Sequence, residues 1–262
     1  MARPQRLTTS LRERVWGRRR LEPWFPDSEK PIGEAWYLSD RDLPLLVKML
    51  FTSGRLSVQV HPDDGEDGPR GKTEMWHIVD AEPGATIALG FRKRITRERL
   101  LESTKTGEIE QLLNWVPVRA GETYFVPAHT VHAIGSGIVL FEIQQHSDVT
   151  YRLWDYGRPR EIHVDKAAPI SDLGEHPGAA RPVPLAPGHT ELVRSKHFVT
   201  ELIEAERFVA DPRASQLVIC IEGEGRVGGE KTRAGEVWLL PDEAVTIEGS
   251  GRFLRTFVPS VG

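Results

Sequence analysis

Apolar and polar residues alternate in short runs along most of this chain. LSVQVH (56–61), TIALGF (86–91), TYFV (123–126), GIVLFEI (137–143) and SQLVICIEGEGRV (215–227) are broken by Gly- and Pro-rich turns. A period of two puts alternate side chains on one face of a strand, so a mainly β chain is expected. Two stretches depart from that period. LPLLVKML (43–50) reads as helix-like, and 95–114 spaces Ile95, Leu100, Leu101, Ile109, Leu112 and Leu113 as two short helices broken near Thr106-Gly107. Residues 166–190 are rich in Pro and small residues and read as a linker between a domain at 1–165 and a smaller β domain at 191–262.

The pattern also aligns the two halves without a gap. GETYFVPAHTVHAIGSG (121–137) matches GEVWLLPDEAVTIEGSG (235–251), with Gly121, Glu122, Pro127, Val131 and Gly135 recurring as Gly235, Glu236, Pro241, Val245 and Gly249. Gly and Pro at fixed offsets encode the same turns, so both segments are expected to share a hairpin-like shape. His129 and His132 of the first copy become Glu243 and Thr246 in the second. The scaffold therefore does not require histidine there, and a structural role is expected of the second copy.

Candidate chemistry lies between 56 and 78. Ser57, Gln59 and His61 project to one strand face, and Lys72, Glu74 and Trp76 to one face of the next run. Joined through the turn-rich HPDDGEDGPRG, the two strands would bring Gln59, His61 and Glu74 together. Imidazole, carboxylate and amide oxygen are donors for zinc or another borderline divalent ion. A further ligand is sought downstream, where His129 and His132 are the candidates. The alternative is a strand with its polar face in solvent and a histidine pair satisfying loop backbone. Further on, Asp148 and Arg152 share a face if the strand there is regular, which suggests a buried ion pair.

QVHPDD, GKTEMW, VPAHTVHAIGSG and FEIQQHSDVTYRLWDYGR, in this order between about Arg12 and His163, resemble type I mannose-6-phosphate isomerases in their short bacterial form. The repeated Gly-Glu…Pro…Gly segment is similar to the second motif of cupins. The resemblance implies two cupin-type jelly-roll barrels with a short helical insertion, the second barrel degenerate. It also implies one divalent metal ion per chain, zinc first, held by Gln59, His61, Glu74 and His132, with His129 a lower-ranked substitute. Lys72, Asp148 and Arg152 match catalytic positions, and Ser57, Trp16, Trp36 and Glu142 match substrate-binding ones. Where the family commonly carries a second Gly after Trp16-Gly17, this chain has Arg18. The implied reaction interconverts mannose 6-phosphate and fructose 6-phosphate through a cis-enediol. A non-catalytic sugar-binding or regulatory cupin, or an isomerase of another sugar, is the alternative. A cupin oxygenase is disfavoured by the lack of a His-x-His-x₃₋₄-Glu run.

Bulk properties change this picture little. With 262 residues, 39% hydrophobic and 27% charged, the chain has the composition of an ordinary globular protein. A net charge of −4 supplies no basic field for nucleic acid, and the one basic cluster, RERVWGRRR (12–20), reads as folded surface. No apolar run approaches the ~18 residues of a membrane helix, and the first twenty residues lack a signal-peptide centre. Cys220 is the single cysteine, so no internal disulfide is available. A cytoplasmic monomer or small homo-oligomer acting on a small phosphorylated hexose is expected, with neither nucleic-acid nor membrane partner.

Overall fold

Every strand ladder in this computed structural model, which describes residues 3–259, is antiparallel. A six-stranded sheet runs in the order Thr8–Arg18, Ile32–Leu38, Leu45–Phe51, Ile138–Gln145, Glu74–Ala81, Thr123–Val126. It faces a five-stranded sheet of Tyr151–Trp154, Val58–Val60, His132–Ile134, Thr86–Phe91 and Leu113–Pro117. Between them lie Trp16, Leu50, Trp76, Ile87, Ile134 and Leu140. In the second half a seven-stranded sheet faces a four-stranded one, with Ile203, Val218, Cys220 and Phe253 between.

The seven-stranded sheet also packs against the outer face of the six-stranded sheet. Val47, Met49, Phe51, Phe141 and Ile143 meet Phe198, Leu217, Ile219 and Leu254 in one core. Each fully buried side chain of this size stabilises by ~1.5–3 kcal/mol. The N-terminal strand Gln5–Arg6 adds to the far edge of the seven-stranded sheet, beside Val237–Leu239.

That sandwiching explains one departure from expectation. LPLLVKML is a strand, Leu45–Phe51, and all seven of its residues are buried. Leu45, Val47 and Met49 face the second half, while Leu50 faces the first sandwich. A strand covered on both faces loses its alternation and reads as a continuous apolar run.

The helical insertion matches its expected position. Arg97–Thr106 is N-capped by Thr96, whose side chain accepts from the Arg99 amide, and ends at Gly107 with φ 81°. A turn at Ile109–Leu112 follows. Leu100 and Ile109 pack with Val58, Phe91 and Leu153 on the outside of the five-stranded sheet. The Pro-rich stretch read as a linker lies against the first half. It opens within a helix, Val164–Ile170. It then bonds along the first half through Asp172 N–H to His129 O (2.8 Å), Phe91 N–H to Gly174 O (3.0 Å) and Ala180 N–H to Thr123 O (2.7 Å). It ends in the strand Val183–Ala186, paired with His189–Arg194, so prolines sit in regular elements at both ends of the stretch.

The repeated segments are corners, not hairpins. Thr123–Val126 lies in the six-stranded sheet and His132–Ile134 in the facing one; Val237–Leu239 and Val245–Glu248 make the same crossing. Gly121 and Gly235 both sit at φ 89°, which suits glycine. No described helix is long and apolar enough to cross a membrane.

Candidate metal centre and sugar pocket

The candidate ligands come from both walls of the first sandwich. Gln59 and His132 are cross-strand partners in the five-stranded sheet. His61 follows the end of Val58–Val60, and Glu74 opens its strand in the facing sheet. The two runs therefore meet across the sandwich, from facing sheets. The donor atoms of His61, Glu74 and His132 lie within 4.8 Å of one another, and all three residues are buried. His61 Nε2 is 3.6 Å from Glu74 Oε2, and His132 Nε2 is 3.5 Å from Glu74 Oε1.

Both rings are oriented from behind. His61 Nδ1 donates to the Val149 carbonyl (2.9 Å) and His132 Nδ1 to the Thr130 carbonyl (2.9 Å). These bonds put the proton on Nδ1 and the Nε2 lone pair toward the carboxylate, the arrangement a metal-binding imidazole needs. Burial, then the charge of Lys72, holds His61 well below the usual imidazole range; burial pushes His132 down to about 4. Gln59 places Nε2 3.2 Å from His132 Nε2, and its Oε1 accepts from Ser57 Oγ at 3.2 Å. Turning the amide by 180° exchanges two nearly isosteric atoms and brings Oε1 to the centre. Two neutral imidazoles, a carboxylate and an amide oxygen thus fit a borderline divalent ion.

Beside the ligands lies a buried charge network. Lys72 donates to Glu74 Oε2 through a very short bond and to His61 Nε2 at 2.9 Å, and stands 3.6 Å from Glu142 Oε1. Trp76 Nε1 donates to Glu74 Oε1 (3.1 Å) and Glu142 Oε2 (3.3 Å). Lys48 reaches Glu142 at 3.5 Å and Asp148 at 3.6 Å. Burial and the Glu142 charge raise Glu74. For Glu142 burial acts upward, but Lys72 and Lys48 outweigh it and hold the carboxyl below its usual range. For Lys72 burial acts downward, and Glu142 and Glu74 outweigh it, so the ammonium is retained.

A cavity of about 440 Å³ opens on this network; Trp16, Ser57, Gln59, Lys72, Glu142, Asp148 and Arg152 all line it. Larger clefts of about 800 and 630 Å³ lie elsewhere and contain none of the four candidate ligands. Trp36 stands behind the cavity wall, with Arg12 stacked on its ring (3.6 Å) and Lys48 4.1 Å from its centroid. His129 bonds Glu66 (2.7 Å) and does not join the cluster.

The expected Asp148–Arg152 pair is absent among the described residues. Asp148 is 67% exposed and pairs with Lys48, while Arg152 Nη1 donates to the Glu161 carbonyl at 2.8 Å. The strand begins only at Tyr151, so 148 and 152 do not share a regular face. Lys48 and Arg160 also line the cavity and were missed; so do Arg14, from the N-terminal basic cluster, and Glu34, from the Gly33–Trp36 segment that resembles the family's pocket lining. Of the two missed, Lys48 alone carried a signal, as the one charge within LLVKMLF.

The sandwich and its interior donors define a cupin-type β protein with a His–Glu–His centre. The mannose-6-phosphate isomerase of Streptococcus mutans is 31% identical over an alignment of 297 residues, covering 92% of this chain and 93% of that protein. The chain belongs to the mannose-6-phosphate isomerase family. Mannose-6-phosphate isomerase ManA of Bacillus subtilis is 36% identical over 225 residues, 76% of this chain and 69% of that one. Among solved structures, the mannose 6-phosphate isomerase from Bacillus subtilis superposes with a TM-score of 0.88 at 26% identity, covering 98% and 100% of the two chains. A variant of the Salmonella typhimurium phosphomannose isomerase, at 17% identity and a TM-score of 0.80 over 99% and 100%, shares the fold. No family model matches the chain.

Proposed function

We propose that the chain interconverts mannose 6-phosphate and fructose 6-phosphate, with Gln59, His61, Glu74 and His132 holding a divalent ion, zinc first among the candidates. The observation that carries this reading is the buried Lys72–Glu74–Glu142 network beside an arginine-bearing cavity. An ion held there supplies Lewis-acid stabilisation of charge developing on the sugar oxygens.

The isomerisation removes the proton on C2, places one on C1 and shifts the carbonyl from C1 to C2 through a cis-enediol. Ionised Glu142 is equipped to accept a carbon-bound proton, and Lys72 to hold one at the sugar hydroxyls. Asp148, at the exposed end of the cavity, is placed to assist ring opening. Arg152 provides cationic donors for an enediolate or a phosphate. Ser57 and Trp16 complete the walls that position the sugar. Proton-handling groups around the ligands favour turnover over simple sugar binding.

The test is a coupled assay of fructose 6-phosphate formed from mannose 6-phosphate, with protein stripped by chelator and reloaded with Zn, Mn or Co. Turnover should return with metal and disappear in Lys72→Ala, which keeps its metal. Stoichiometric metal with no turnover for any ion would defeat the reading.

A further inference from the structure

Past the strand Tyr151–Trp154, two guanidiniums grip one carboxylate, and a third, Arg152, stands nearby in the strand itself. The Asp155 side chain is 1% exposed. Arg160 grips it with both arms, Nε to Oδ2 at 2.6 Å and Nη2 to Oδ1 at 2.7 Å. Arg158 Nη2 meets Oδ1 at 2.5 Å, and its Nε donates to the Asp155 carbonyl at 3.2 Å. Arg152 completes the group, with a buried Nε that has no hydrogen-bond partner. Arg152 and Arg160 line the sugar cavity; Asp155 and Arg158 do not.

A pair built only to staple a loop would balance its charge. Here Asp155 is shared by two cations, and Arg152 stands near them without an ion pair to it: burial and the neighbouring Arg160 lower its pKa against the opposing charges of Asp155 and Glu161. Arg160 spends its Nε edge on Asp155 and leaves Nη1 uncommitted among the described residues. A guanidinium fixed in this way meets a planar or tetrahedral anion without first losing side-chain freedom.

We propose that Asp155 is a positioning residue that sets Arg160 beside Arg152 on the cavity wall, so that the two guanidiniums receive the phosphoryl dianion of the sugar. This rests on the hexose-phosphate reading above and adds the residue that builds its anion end.

The test uses the metal-loaded full chain and two probes, mannose 6-phosphate turnover and calorimetric binding of inorganic phosphate. Asp155→Asn keeps the shape but weakens the charge-assisted clamp. It should raise KM and weaken phosphate binding about tenfold, as expected for hydrogen bonds to charged groups, with kcat within about twofold. Arg160→Gln should do the same, and the double variant should be no worse than Arg160→Gln, because the two act as one unit. Wild-type phosphate affinity in Asp155→Asn, or single effects that multiply in the double variant, would overturn the proposal. Should Asp155→Asn unfold, Arg160→Gln decides, since unchanged phosphate affinity there overturns it equally. Absence of turnover in the wild type would count against the isomerase reading alone, with phosphate binding still testing the clamp.

Discussion

Lys48 is the residue whose removal should be most informative at the centre. It is 3% exposed and bridges Glu142 to Asp148 above the Trp36 ring. Lys48→Met keeps the length and removes the cation that helps hold Glu142 below its usual range. The carboxyl should then titrate at higher pH, so the acid limb of the kcat/KM profile should move upward in pH. A superimposable profile would show that Glu142 does not govern that limb. His77 offers a second pH effect away from the ligands. Burial, then the Arg252 charge, lowers it from 6.5 to about 4, and its Nδ1 meets Thr123 Oγ1 at 2.9 Å. The folded state refuses a proton that the unfolded chain accepts, so this stability is full above pH 6.5 and is lost as pH falls toward 4. The interval corresponds to roughly 3 kcal/mol. Denaturant melts between pH 4 and 7 should show His77→Gln with a flatter acid decline than wild type.

Among the elements, the helical insertion has the clearest single point of failure. Gly107 ends Arg97–Thr106 in the left-handed region, and a Cβ there would lie 2.6 Å from Trp154 Cζ2. Gly107→Ala must strain the backbone and displace an indole whose Nε1 donates to Glu110 at 2.8 Å. A loss of ~1–3 kcal/mol is expected, read as a lower thermal midpoint. This helix was legible because its cap and its stop are local chemistry: Thr96 at one end, Gly107 at the other. The strand Leu45–Phe51 was not, because its second covering face is supplied by residues about 150 or more positions away. The corners at 121–137 and 235–251 were legible as a repeat, yet their sheet-to-sheet crossing was not. Gly and Pro specify where a chain turns and leave open which sheet receives it.

For the whole molecule, the core between the six- and seven-stranded sheets ties the half that carries the candidate ligands to the half that lacks their counterparts. Phe198 is fully buried there, 6.2 Å from Phe125 by ring centroids. Phe198→Ala should cost ~3–5 kcal/mol. Tryptophan fluorescence, reported mainly from the first half, should lose its transition together with far-UV dichroism. Two separated transitions would mean that the halves melt independently and that this core does not couple them.

By itself the sequence determined the donor types, their order and the strand faces that carry them. Period-two alternation and side-chain chemistry are local, so Gln59, His61, Glu74 and Lys72 could be named before any fold, with His129 and His132 both open until the family resemblance chose His132. Only the tertiary structure decided who meets whom. Alternation tells which side of a strand a residue occupies, but not which sheet stands opposite. Glu74 therefore arrives from the facing wall, Asp148 turns to Lys48 instead of Arg152, and Asp155 gathers Arg158 and Arg160. Each of these contacts is made in three dimensions, where neither spacing nor periodicity records the partner.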